Sequence, residues 1–222
     1  MYYGKLLRKG AERLILYFRA MRYLSFIPLL ILFLFLPLLA VFFVMRENDV
    51  MVAAGYLIVY GQIVVPFFSV WWLIFGFHDY VEGDGAELLI MRRKSFLLPD
   101  AWILLFLYLV STFIVYLAFS FFLPYMLLEF CRLAMISVLF FGLASFVLCL
   151  SRQLTATFML VLLYTLFNTS MLQRDMSIVN LPYYYSFSLI AGLGDLGQYI
   201  PHLFLGIGLA SIAPLLPQKR YT

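Results

Sequence analysis

The chain has 222 residues, a mean hydropathy of +1.02, and 65% hydrophobic composition, with 15 basic and 11 acidic residues in all. Charged residues make up only 12%, about half the roughly 25% usual for soluble domains. That rules out a disordered chain, which needs low hydrophobicity and high charge, and a soluble globule, whose surface so few charges cannot coat. What remains is an all-α, multi-pass membrane protein, since about 20 apolar residues span a bilayer as a helix. No low-complexity linker or internal repeat divides residues 1–222, so they read as a single transmembrane domain. The formal charge of +4 fits basic loops at an anionic leaflet better than nucleic-acid binding.

The elements follow in chain order. Residues 1–22 alternate basic and apolar positions. At 100° per residue, Leu7, Ala11, Leu14, Ile15, Phe18 and Met21 share one face, and Lys5, Arg8, Lys9, Glu12, Arg13 and Arg19 oppose it. This is the pattern of an amphipathic helix lying in the plane of the interface. Six apolar segments then read as spans: Tyr23–Val44, about Met51–Phe77, Ala101–Leu123, about Pro124–Leu150, Leu154–Leu172 and about Tyr199–Leu216. Val44 runs directly into Met45 and Arg46, without a small-residue cleavage site, so the first segment reads as a retained span and not a signal peptide.

Basic residues set the expected orientation. Lys5, Arg8, Lys9, Arg13, Arg19 and Arg22 precede the first span. Arg92, Arg93 and Lys94 follow the second, Arg152 follows the fourth, and Lys219 and Arg220 close the chain. Only Arg46 and Arg174 fall on the other side. The positive-inside rule puts the first set, and with it both termini, in the cytoplasm. Between the last two spans, residues 177–198 are too apolar for a loop yet broken by Pro182, Gly192, Gly194 and Gly197. A re-entrant or surface segment is the expectation there, because irregular backbone at membrane depth needs protein or a water-filled cavity around it.

Charge beyond the N-terminal helix gathers in residues 78–100, HDYVEGDGAELLIMRRKSFLLPD. Acids come first, then a Leu-Leu-Ile-Met patch, then three cations. A short segment with an apolar edge and charged flanks suits docking on a soluble partner. The stretch VEGDGAELL resembles the first cytoplasmic loop of type-2 ABC transporter permeases, in which an acidic segment followed by E-G-T-x-E-L-L forms the coupling helix. Glu82 and Gly83 match the acid-Gly pair, and Glu87, Leu88 and Leu89 match E-L-L. The gap from Gly83 to Glu87 is one residue longer than the family's, and IMRRKS stands where the family has Leu-Pro-x-Ser/Arg. The motif covers about ten residues, and the expected architecture covers nearly the whole chain.

The resemblance implies a prokaryotic cytoplasmic-membrane exporter subunit with no cofactor of its own. ATP and magnesium would be held by a separate ATP-binding subunit contacting Asp79, Glu82, Gly83, Glu87, Leu88 and Leu89. A second permease copy or a paralogue would complete the pathway. The alternatives are an ATP-independent assembly or immunity-type membrane protein, and a membrane-embedded enzyme.

No P-loop, zinc-binding His pair or Gly-x-Ser-x-Gly elbow is present in the sequence, and no metal site is expected. Cys131 and Cys149 read as small thiols packed in helices. Within spans, ionisable groups are functional candidates by default. Glu129 and Arg132, at i and i+3, pair either as a polar gate in the pathway or as an interfacial pair with Arg132 snorkelling outward. Asn168, Thr169 and Gln62 either line a substrate path or make interhelical hydrogen bonds.

Overall fold

A computed structural model describes residues 14–47, 49–81, 98–123, 125–172, 192 and 194–213. Among these residues the secondary structure is helical throughout, without a strand. Four stretches are long and apolar enough to cross a membrane: Leu14–Glu47, Val50–Gly76, Pro99–Ser120 and Met126–Ser151. Their outward faces carry Phe26, Leu30, Phe33, Phe42, Phe106 and Ile114, all well exposed. Helices this apolar on their open faces belong in lipid, where each backbone bond is satisfied within its own segment. The protein is membrane-embedded and helical. The expected fifth span is a helix over Leu154–Leu172, 19 residues or about 28 Å long. The expected sixth is described over Ile200–Ile212, 13 residues or about 20 Å, shorter than the roughly 30 Å hydrocarbon layer.

Helix α1 occupies residues 14–21. Its core-facing positions are Leu14, Tyr17, Phe18 and Met21, an i, i+3, i+4, i+7 stripe. Ile15, expected on that face, is instead exposed. The stripe packs on protein: Tyr17 lies 5.2 Å from the Phe77 ring and Phe18 meets Trp72 edge-on at 5.1 Å. Arg22 then takes φ 50°, in the left-handed region, and the chain changes direction into the first span. The earlier part of the amphipathic stretch, residues 1–13, lies outside the described residues.

Helix α2, residues 22–47, is not uniform. It opens as a 3-10 turn Arg22–Phe26, continues as Ile27–Leu30, widens to a π turn over Ile31–Phe35 and ends as Leu36–Glu47. Prolines explain both irregularities. Pro28 has no N–H, so the carbonyls of Leu24 and Ser25 lose their donors three and four residues on. Two neighbouring indoles replace them: Trp71 Nε1 donates to Leu24 O and Trp72 Nε1 to Ser25 O, each at 2.9 Å. Pro37 likewise leaves Phe33 without its donor, and the π turn answers with an i to i+5 bond from Leu36 N–H to Ile31 O.

Asp49 caps helix α3, Val50–Ser69, by accepting from Met51 N–H at 2.8 Å. Pro66 sits inside α3 and the helix breaks at Val70 before α4, Trp71–Gly76. The freed groups at this joint find side chains. Ser69 Oγ donates to Pro66 O at 2.6 Å, and Tyr108 Oη donates to Val65 O at 2.9 Å. Helix α5, Leu98–Ser120, starts with Asp100 in its first turn, where the helix N-terminus favours an anion. Helix α6, Met126–Ser151, is joined to α7, Leu154–Leu172, through Arg152 at φ 52°, whose N–H bonds back to Leu148 O at 3.0 Å. A 3-10 turn, Asp195–Tyr199, leads into α8, Ile200–Ile212.

Helix α6 is the centre of the bundle, with α3, α5, α7 and α8 all packed on it. The α6–α8 crossing is the closest. A Cβ on Gly206 would stand 2.7 Å from Leu139 Cα, and one on Gly142 would strike the Gly206 carbonyl. Glycine at both positions lets the two backbones touch, as small residues do where lipid supplies no hydrophobic drive between helices. Gly206→Val is therefore expected to separate α8 from α6 and destabilise the fold by about 2–3 kcal/mol or more. Gly208→Ala, which meets nothing within 4 Å, serves as the control and is expected to be tolerated. Thermal melting with size-exclusion elution in detergent checks both, and equal behaviour of the two variants would contradict the crossing.

Candidate functional site

Polar side chains are scarce in the spans, and most are satisfied at home. Thr112, Thr165, Thr169, Ser111 and Ser211 each donate to the carbonyl four residues back, at 2.7–3.0 Å. Asn168 does the same, its Nδ2 donating to Tyr164 O at 2.8 Å. In this arrangement the Asn168 amide is turned to its own helix, and it stands apart from the other polar candidates.

Glu129 and Arg132 behave differently. Both lie near the start of α6 and both are buried, with side chains 2% and 0% exposed. Arg132 Nε donates to Glu129 Oε1 at 3.0 Å, and Arg132 Nη2 reaches Glu129 Oε2, a two-pronged ion pair within one helix. The fork of the guanidinium matches the carboxylate, which gives the strongest class of charged hydrogen bond. Snorkelling of Arg132 to the interface is overturned. The guanidinium turns inward, where α8 brings it a hydroxyl and α3 brings its carboxylate an amide, partners that lipid lacks.

Two helices supply those partners, and a third comes close. Gln62, on α3, donates Nε2 to Glu129 Oε1 at 3.2 Å, so it makes the interhelical bond that was one of its two expected roles. Tyr199, at the foot of α8, receives a hydrogen bond on Oη from Arg132 Nη1 at 3.3 Å. The Arg132 guanidinium also lies 5.6 Å from the centre of the Tyr199 ring, within cation–π range. His202, one turn on, is buried beside Tyr199 with ring centroids 5.9 Å apart. From α5, Tyr116 is fully buried, within electrostatic reach of both Glu129 and Arg132.

The resulting cluster draws on α3, α5, α6 and α8. It is close to neutral overall, because one carboxylate meets one guanidinium. Such a centre holds helices in register and can bind a polar group, but among the described residues no group of three His, Cys, Asp or Glu side chains could ligate a metal. Sequence reading found Glu129, Arg132 and Gln62. It missed Tyr116, Tyr199 and His202, whose only signal was that each falls within a few residues of a helix end facing the Glu129 turn.

A second polar contact sits at the α1 end of the bundle. Tyr17 Oη donates to Asp100 Oδ2 at 2.9 Å, and both residues are buried. Asp100, grouped by sequence with the charged loop, belongs instead to the first turn of α5. Of the loop residues themselves, the Asp79 backbone falls in a short helical turn, His78–Val81. Glu82, Gly83, Glu87, Leu88 and Leu89 lie outside the described residues, as does most of the expected re-entrant segment 177–198. Asp195, in its described part, is exposed and accepts from Gly192 N–H at 3.3 Å. Cys131 and Cys149 are half-buried free thiols.

Among the described residues, apolar hollows flank the bundle. One, of about 380 Å³, lies among Ala40, Val44, Ala53, Leu57, Phe119 and Leu123. Another, of about 560 Å³, lies among Leu139, Leu143, Met159, Leu163, Phe167 and Leu205. Neither includes a member of the Glu129 cluster.

Comparison of the chain with family models, with curated proteins and with solved structures finds no match.

The burial of the ion pair makes an asymmetric prediction. Arg132→Met alone leaves a buried carboxylate, and is expected to cost about 3–5 kcal/mol of stability. Adding Glu129→Leu to Arg132→Met is expected to recover most of that loss, because no uncompensated charge remains. Unfolding of Arg132→Met, Glu129→Leu and the double variant in mixed micelles checks this, and strictly additive losses would contradict the pairing.

Proposed function

We propose that the chain is the membrane-spanning subunit of an ATP-driven exporter of the type-2 ABC permease kind, working beside a separate ATP-binding subunit. In this reading the chain sits in a prokaryotic cytoplasmic membrane with both termini inside. Two copies, or one copy and a paralogue, enclose the pathway. Closure of the ATPase pair on ATP pushes the loop that holds Glu82, Gly83, Glu87, Leu88 and Leu89, and the spans rock between inward-open and outward-open arrangements. The distribution of basic residues and the order acid-Gly-acid-Leu-Leu support the assignment.

The observation that carries it is the bracing around that loop. Tyr17 touches the helices on either side of residues 82–97 at once: its ring lies on Phe77, just past α4, and its hydroxyl binds Asp100 at the start of α5. A force applied to the loop would therefore reach α4, α5 and α1 together, without slack between them.

Co-purification tests the reading. The tagged full chain is expected to retain a protein bearing the G-x-x-x-x-G-K-[ST] P-loop, whose ATP hydrolysis responds to the chain in reconstituted vesicles. Glu87→Arg is expected to weaken that association at least about tenfold, by setting like charges at the contact, while the chain still folds. Absence of any P-loop partner, together with an unaffected Glu87→Arg phenotype, would sink the proposal. Turnover by the purified chain without ATP or partner would favour a membrane enzyme.

A further inference from the structure

Tyr116 carries a group that the described arrangement leaves unused. Its side chain is fully buried in α5, and its hydroxyl has no hydrogen-bond partner. A buried hydroxyl left unpaired disfavours the arrangement that buries it, roughly tenfold or more in population terms. Phenylalanine would fill the same space without that cost. The tyrosine makes physical sense if its hydroxyl finds an acceptor in a second arrangement of the same helices.

The surroundings identify the acceptor. The hydroxyl rests against α3 at Gly61, where any Cβ would collide with it. The next residue on α3 is Gln62, which holds Glu129 Oε1. Tyr116 is thus brought to the same part of the bundle as Glu129 and Arg132. Each carboxylate oxygen has two lone-pair sites, and those of Glu129 Oε1 are taken by Gln62 Nε2 and Arg132 Nε, so another donor reaches that oxygen only if Gln62 leaves it. Helix α3 is also jointed nearby. Pro66 deprives the Gln62 carbonyl of its helical donor, and the helix breaks at Val70.

We propose that Gln62 and Tyr116 are alternative donors to Glu129, the two positions of a latch between α3, α5 and α6. In the described position Gln62 is engaged and the Tyr116 hydroxyl is pressed on Gly61. When α3 moves at its Pro66 joint, Gln62 withdraws, the hydroxyl is released from Gly61, and it donates to Glu129 in its place. Glu129 keeps Arg132 throughout, so no buried charge is ever left alone. The latch gives alternating access its two defined states, but it resides in this chain and needs no ATPase to operate.

The full chain in lipid nanodiscs tests it, spin-labelled at Met51→Cys on α3 and Phe121→Cys just beyond α5, both exposed, with Cys131→Ala and Cys149→Ala as background. Tyr116→Phe is expected to deplete the second inter-label distance about tenfold and to raise the melting temperature. Gln62→Leu is expected to enrich the second distance by a similar factor. The latch is overturned if neither substitution moves the distance distribution, or if Tyr116→Phe lowers the melting temperature or prevents folding, as loss of a fixed partner would. Because the readout uses the isolated chain, failure to find an ATPase leaves this result intact, and failure of the latch leaves the exporter assignment to its own test.

Discussion

Hydrocarbon offers no water to a stray hydrogen-bonding group, so a charged pair inside a helical membrane protein has to be completed by the protein itself. The Glu129–Arg132 pair imposes that requirement here. Glu129 and Arg132 leave one helix with two charges on one face, and the remaining valences must be met by helices that approach that face. Gln62 comes from α3 and Tyr199 from α8, with Tyr116 of α5 close by. Apolar packing alone distinguishes poorly between one rotation of a lipid-bathed helix and another. The pair selects the rotations of α3, α6 and α8 that bring its partners inward, and the bundle order around α6 follows from it.

The same requirement explains the irregular backbone. Three prolines, at 28, 37 and 66, each remove a helical donor at a place where the chain bends or widens. The backbone around each is served differently: by the indoles of Trp71 and Trp72, by a π turn, and at the Pro66–Val70 break by Ser69 and Tyr108, which donate to Pro66 O and Val65 O. These repairs join elements distant in sequence, α2 to α4 and α3 to α5. A proline in a span thus becomes a tertiary contact. Aromatic residues with a polar tip suit the role because a large apolar body reaches into lipid-facing packing and only the tip needs a partner.

Sequence made some of this legible and hid the rest for identifiable reasons. Hydropathy located the first four spans to within a few residues, because a bilayer demands long uninterrupted apolar runs. It also showed Glu129 and Arg132 as polar residues out of place. It did not show which way they faced: an i, i+3 pair near a helix end satisfies the snorkelling pattern and the buried pattern equally, and only the arrival of α3 and α8 separates them. Tyr116 and Tyr199 were invisible because tyrosine is common throughout the chain and equally at home at an interface. Asp100 was misgrouped for a similar reason, since a run of loop charges gives no sign of where the helix N-terminus begins or that Tyr17 waits for it from 83 positions earlier. The α1 face exchanged one member, Tyr17 for Ile15, because a wheel drawn for an interface ignores which side meets protein.

The pairing of Glu129 with Arg132 inside one helix has a consequence for how the protein is made. Tyr199 follows Arg132 by 67 positions, so it emerges from the ribosome well after α6. A lone arginine or carboxylate costs an inserting helix up to about 2.5–3.5 kcal/mol at its centre and less near an end, where Glu129 and Arg132 lie. With its counter-charge one turn away, α6 carries its own neutraliser into the bilayer and does not have to wait for α8. The cation can then be handed a hydroxyl once α8 arrives, so the order of synthesis and the order of assembly do not conflict.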